Sequence, residues 1–149
     1  MTVERLNERR TPWGRRGYDE PGGEVYAAVD LGTNNCRLLV ARPAVDGFRV
    51  IDSFSRIVRL GEGLRLSGEL GVAAIDRSIA ALRVCAGKIR RRRATRTRCV
   101  ATEACRLAAN CNSFLDRVIA ETGLDIEIIT ASEEAWLAAS GCAPRPDRE

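Results

Sequence analysis

The sequence predicts an α/β fold, a mixed five-stranded sheet with helices packed on it. Three observations carry that reading. Between Val25 and Leu60, short apolar runs alternate with turn-rich segments, as in an antiparallel meander of three strands. From Val72 the apolar period changes from that of a strand to that of a helix. After that helix, short strands and helical stretches alternate to the end of the chain. The resulting order, β-β-β-α-β-α-β-α, needs a sheet that is part antiparallel and part parallel, with helices covering it. With 149 residues, 45% of them apolar and 30% charged, the chain suits one globular domain with its own core.

Residues 1–24 hold Pro12, Trp13-Gly14 and Pro21-Gly22-Gly23 among mixed charges and show no apolar period, so a disordered tail is expected there. VYAAV (25–29) is continuously apolar, like a strand buried on both faces. It runs into a polar turn, Asp30 to Asn35, and CRLLVAR (36–42) returns as the second strand. Pro43 to Gly47 make a turn, and FRVIDSFSRIVRL (48–60) is the third strand. Gly61, Gly63 and Gly68 then break the chain. Ile75, Ile79, Leu82, Ala86 and Ile89 are spaced 4, 3, 4 and 3 apart, one face of a helix. RCVAT (98–102) is the fourth strand, and residues 103–109 make a short helical turn. Ser113 is the expected N-cap of a helix carrying Phe114, Leu115, Val118 and Ile119, and Gly123 is its stop. DIEII (125–129) alternates as the fifth strand, and Ser132 is the expected cap of a last helix opening with Glu133-Glu134. Residues 143–149 are expected to fray. The folded unit thus spans residues 25–142.

Composition removes several chemistries. There is no histidine, so Ser-His-Asp and Cys-His catalysis and every His-containing metal site are excluded. The six cysteines (36, 85, 99, 105, 111 and 142) form no C-x-x-C pair, and free, mostly buried thiols in a reducing compartment are expected. No run of about 18 apolar residues predicts a membrane span. The charged N-terminus, without an apolar stretch behind it, predicts no secretory signal and a cytoplasmic protein. The net charge of +4 is concentrated. KIRRRRATRTR (88–98) carries seven basic residues and no acid, and the remainder has 17 basic against 20 acidic groups. Such a block reads either as a polyanion contact or as a solvated helix end.

The informative stretch is VDLGTNNCRLL (29–39). An apolar strand delivers Asp30 to a tight turn. Gly32 permits positive φ or close backbone approach, and Thr33, Asn34 and Asn35 add small polar side chains. Consecutive loop amides there make an anion-binding nest, and an adjacent Asp holds Mg²⁺ or orients water. A plain hairpin turn uses the same residue types. Neither the Walker phosphate loop nor G-x-G-x-x-G is present, and no metal cluster is expected.

AVDLGTNNCRLLVAR resembles the first phosphate loop of the actin/Hsp70/sugar-kinase superfamily, and more closely that of the exopolyphosphatase / guanosine pentaphosphate phosphohydrolase (Ppx/GppA) family. Three further segments resemble that family in its own order: IVRLGEGL (57–64), VATEACRLAAN (100–110) and FLDRVIAETGLDIEIITASEEAWL (114–137). The resemblance implies an actin-like ATPase (ribonuclease H-like) lobe and hydrolysis of terminal phosphate from inorganic polyphosphate or guanosine pentaphosphate, with Mg²⁺. It implies that Asp30, Gly32, Thr33, Asn34 and Asn35 line the phosphate loop and that Arg37 stands at a basic or polar family position. Arg106 would reach substrate phosphate oxygens, and Glu134 would be the general base for the attacking water. The chain departs from the family in Thr33 and Asn35, where serines are usual, and in Trp136, where an arginine is usual. The family's second phosphate loop, "DIGGGS", and its second lobe lie beyond this sequence. The chain is therefore expected to be a truncated first lobe, nearly inactive alone, that needs a second lobe or a homodimer partner. The alternative is an inactive polyanion-binding or interaction module.

Overall fold

A computed structural model describes residues 23–142, Asp46 excepted. Three strands come first: β1 (Tyr26–Leu31), β2 (Asn35–Ala44) and β3 (Gly47–Ile57). There follow α1 (Leu64–Ser67), α2 (Val72–Arg91), β4 (Arg96–Ala101), α3 (Glu103–Leu107), α4 (Cys111–Thr122), β5 (Ile126–Ile128) and α5 (Ala131–Cys142). The five strands form one sheet in the order β3-β2-β1-β4-β5. β1–β2 and β2–β3 pair antiparallel, while β1–β4 and β4–β5 pair parallel. This is the mixed sheet the sequence predicts. The expected tail lies outside the described residues except for Gly23 and Glu24, and so does the expected frayed end at 143–149.

β1 is the central strand, with Tyr26, Ala27, Val29 and Leu31 buried but Ala28 and Asp30 exposed, so it is not buried on both faces as the sequence predicts: the face that Ala28 shares is less covered. One face of the sheet is covered by α2, whose Ile79, Leu82, Cys85, Ala86 and Ile89 are buried in the core, and by α4 through Phe114 and Val118. Burying a side chain of this size stabilises by roughly 1.5–3 kcal/mol, so these residues anchor the lobe. The opposite face is less covered. An apolar hollow of about 550 Å³ lies there, lined by Ala28, Leu39, Phe54, Val100 and, from α5, Leu137.

Several boundaries differ from expectation for identifiable reasons. The third strand stops at Ile57 rather than Leu60, because Arg59 adopts a left-handed φ of 50° and the Val58 and Arg59 amides turn to the loop after β1. The glycine-rich break holds a short helix, α1, framed by Gly63 and Gly68 at φ of 74° and 73°. α4 starts at Cys111, so Ser113 lies inside it and Asn110 takes the cap position. The Asn110 side chain accepts from the Leu70 amide (2.8 Å) and donates to the Leu70 carbonyl (3.0 Å), which ties the helix start to the chain before α2. α5 likewise starts at Ala131, and Thr130 rather than Ser132 caps it, its hydroxyl accepting from the Glu133 amide at 3.1 Å.

Cys36, Cys85, Cys99, Cys105 and Cys111 are free and buried, and the Cys142 side chain lies outside the description. The sulfurs of Cys36 and Cys85 lie 3.9 Å apart. Burial pushes the Cys99 thiol up to about 11, so it stays protonated and behaves as a small apolar group.

Candidate functional site

Parallel pairing brings the C-terminal ends of β1 and β4 together, Leu31 opposite Ala101, and the site is built on that edge. Asp30 stands on the last turn of β1 directly across from Arg37 on β2. The chain then folds back over Gly32, Thr33 and Asn34. The Gly32 amide donates to the Asn35 carbonyl at 2.9 Å. The Thr33 carbonyl accepts from the Gly61 amide (3.1 Å), and the Asn34 carbonyl accepts from Val58 (2.8 Å) and Arg59 (3.0 Å). Both carbonyls therefore point inward to the segment after β3. In a trans peptide the N–H points opposite to the C=O, so the Asn34 amide is turned away from that segment. Among the described residues, neither the Thr33 nor the Asn34 amide has an acceptor. Thr33 is half-buried and Asn34 exposed, so both amides stand open to water or to an anionic oxygen.

Gly32 does not use positive φ, which among the described glycines occurs at 47, 63, 68 and 123. Nor does close approach demand it, since a Cβ there would meet the Asn35 carbonyl at 3.4 Å, an ordinary contact. Gly61 is the more demanding glycine. A Cβ on it would fall 2.4 Å from Thr33 Cγ2, so with threonine at 33 any larger residue forces that side chain to shift. Arg77 of α2 braces the same segment, donating to the Val58 carbonyl at 2.8 Å and pairing with Glu62 at 2.5 Å. Sequence reasoning treated Gly61 only as a breaker and passed over Arg77. Their partners lie far off in the chain.

Asp30, Gly32, Thr33, Asn34, Asn35, Arg37 and Glu134 line one polar cleft of about 270 Å³, together with Thr102 and Glu103. The last two were not anticipated. Position could have found them, because they follow β4 at the same sheet edge that carries Asp30. Thr102 is held there by its amide, which donates to the Leu31 carbonyl at 3.3 Å. Arg106 is not among the lining residues but stands behind Glu134. It donates from Nη1 to the Ile129 carbonyl (2.8 Å) and from Nη2 to Glu134 Oε2 (2.9 Å). The fork thus fixes one carboxylate oxygen and leaves Oε1 for the cleft. Glu133, the neighbouring acid, is turned to Arg98 at 2.6 Å, so of the pair only Glu134 serves the cleft.

Partial loss of hydration raises the Asp30 carboxyl above its ordinary range, Arg37 opposes that, and the negative charge of Glu134 adds to it. Two carboxylates that feel one another across a polar cleft favour a cation between them. Among the described residues no group of three or more ligand side chains gathers to hold a metal alone. Asp30 nevertheless fits Mg²⁺, which is commonly bound through one or two carboxylates, waters and substrate phosphates. Chemically, the arrangement offers free amides and a guanidinium for anionic oxygens, and a fixed carboxylate for a water.

The profile of the Ppx/GppA phosphatase family matches residues 39–145. Among solved structures, the type II variant of the Aquifex aeolicus Ppx/GppA phosphatase shares 32% identity over 79% of this chain, with a TM-score of 0.73. The Aquifex aeolicus PPX-GPPA enzyme, in a separate structure, shares 34% over 74% at a TM-score of 0.71. An exopolyphosphatase from Cytophaga hutchinsonii shares 25% over 76%, again at 0.73. The chain spans only 40%, 37% and 36% of these three proteins.

Proposed function

The chain belongs to the Ppx/GppA phosphatase family, and from that premise we propose that it is the first lobe of a phosphohydrolase releasing terminal phosphate from inorganic polyphosphate or guanosine pentaphosphate. The observation that carries this is the joining, in one cleft, of the unpaired loop amides with the Glu134 carboxylate. In this reading the Thr33 and Asn34 amides and Arg37 bind oxygens of the terminal phosphate. Glu134 accepts a proton from water as the water oxygen bonds to phosphorus. The phosphoanhydride bond breaks, and the shortened chain leaves with its charge. Asp30 would hold Mg²⁺, which when bound neutralises phosphate charge. The bonds of Arg106 support a positioning role. It holds Glu134 at the water rather than reaching the substrate itself.

One lobe supplies one wall of such a site. Losing a single set of preorganised donors costs about 10²–10³ in rate, and losing a whole wall costs more. The chain alone is therefore nearly inactive, a cytoplasmic protein completed by a second lobe or by a homodimer partner. A second reading takes the same open amides as those of an inactive polyanion-binding module. Phosphate release from polyphosphate and from guanosine pentaphosphate separates the two. It is measured on this chain alone and with the remaining lobe of a relative supplied as a second polypeptide. Mg²⁺-dependent release only in the supplemented sample, abolished by Glu134→Gln, supports the hydrolase. Phosphate binding without turnover in both supports the module.

A further inference from the structure

The arginine block of 88–98 lies at the end of the sheet away from the cleft. Arg96 pairs with Tyr26 at the first residue of β1, whereas the phosphate loop follows Leu31 at the last. Six strand residues at about 3.3 Å each separate the two ends by roughly 17–20 Å. Part of the block is neutralised. Lys88 and Arg92 share Asp52 at 2.8 and 3.0 Å, Arg96 meets Glu24 at 3.4 Å, and Arg98 meets Glu127 and Glu133 at 2.8 and 2.6 Å. Arg90, Arg91 and Arg93 are exposed and have no ion-pair partner among the described residues.

The helix dipole does not account for them. It presents about half a negative charge at the C-terminus, whereas the last turn and cap of α2 already hold Lys88 and Arg92, committed to Asp52, before these three are counted. The backbone needs nothing from them either. The Arg93 amide donates to the Arg90 carbonyl (3.0 Å) and the Ala94 amide to the Ile89 carbonyl (3.1 Å), so the helix end is closed by its own chain. Arg93 does this at φ 53°, a conformation that glycine adopts more easily.

Nor does the patch extend the cleft. Between them α2 covers one sheet face, and the other is the apolar hollow of Ala28, Leu39, Phe54 and Val100, bordered by the paired Arg96 and Arg98 at this end and by Arg37 at the cleft end. A phosphate chain seated at the loop would have to cross that apolar face to reach Arg91.

We propose that Arg90, Arg91 and Arg93 form a separate contact for the phosphate backbone of nucleic acid, read by charge and without base recognition. Unpaired guanidiniums suit phosphate oxygens. Neither tryptophan nor tyrosine lies in the 88–98 segment to stack on bases, which favours backbone contact to a duplex over single-strand binding.

Anisotropy of a labelled duplex of about 20 base pairs, titrated between about 50 and 200 mM salt, tests this. Each phosphate contact contributes about 0.9 to the slope of log affinity against log salt. Arg90→Gln/Arg91→Gln/Arg93→Gln should therefore lower the slope by about 2 to 3 and weaken binding at least about tenfold at the lowest salt. Arg91→Gln alone should lower the slope by about 1, which keeps the test decisive if the triple variant folds poorly. Inorganic polyphosphate of matched charge serves as competitor. Absence of duplex binding, or an unchanged slope in Arg91→Gln, overturns the proposal. So does polyphosphate held at least about tenfold more tightly than duplex through these arginines, which would reassign the patch to a substrate chain. None of these outcomes depends on turnover at the cleft, so the hydrolase reading stands or falls separately.

Discussion

The two ends of the sheet handle charge in opposite ways. At the Asp30–Asn35 end Arg106 is held on Glu134, Arg37 stands opposite Asp30 in the strand register, and the Thr33 and Asn34 amides have no acceptor among the described residues. At the far end the backbone closes on itself, and Arg90, Arg91 and Arg93 have no ion-pair partner among the described residues. Fixed amides recognise an anion of set size and position, because the strands and the 58–61 segment hold them. Flexible guanidiniums attract phosphate wherever it lies along a chain. The difference separates a site suited to bond breaking, where positioning dominates, from one suited only to association.

The largest effect that would break this contrast is on turnover. In the chain supplemented with a second lobe, Glu134→Gln should lower phosphate release by about 10²–10⁴, while duplex binding at the far end stays as in the parent. Next in size is Gly61→Ala, whose Cβ would collide with Thr33 Cγ2. We expect about a tenfold loss of pyrophosphate affinity by calorimetry. Thr33→Ser removes that methyl and should restore most of it, a rescue that a general loss of stability would not give. Arg106→Gln should lower turnover more than affinity, because it frees the Glu134 carboxylate while the loop amides remain, and a kcat-against-KM comparison checks this.

Two smaller effects follow pH. Asp52 is held down to about 2 by hydrogen bonds from Lys88 and Arg92. Its contribution to stability is full above the ordinary carboxylate range near 4 and is lost as pH falls toward 2. Asp52→Asn should flatten that part of the acid unfolding curve. It should also steepen the salt dependence of duplex binding by releasing two cations at the arginine end. Asp30 has the opposite sign. Its carboxyl is raised, so its ionisation costs the fold stability as pH rises through the carboxylate range. Asp30→Asn should raise Tm slightly at pH 7 and leave it unchanged near pH 3, while weakening Mg²⁺-dependent pyrophosphate binding.

What the sequence made legible was what local chemistry decides. β1 read as a strand because its run is apolar and short, though only one of its faces is well covered, and α2 read as a helix because its 3.6-residue stripe meets the sheet. The loop was visible because strand, Asp, Gly and small polar residues follow one another without interruption. The cap of α4 was misread because Asn110 is fixed by Leu70, 40 residues away, a contact no local pattern announces. Gly61 and Arg77 were missed for the same reason, since each acts on the loop through a tertiary contact. Arg106 stands out in the sequence only through the family resemblance, and its grip on Glu134 and Ile129 appears only once α3 and α5 are brought together. The arginine block was obvious as composition, and its place at the far end was not, because that depends on β4 running parallel to β1.

The central claim is that the Asp30–Asn35 loop is a preformed anion site. Amide resonances of the ¹⁵N-labelled chain, followed while pyrophosphate and Mg²⁺ are added, test it without requiring turnover. The account predicts the largest shifts at the Thr33 and Asn34 amides, smaller ones at Thr102 and Glu103, and none at Ala81–Leu82 in the middle of α2. Saturating shifts confined to Arg90–Arg93, with Thr33 and Asn34 unmoved, would contradict it.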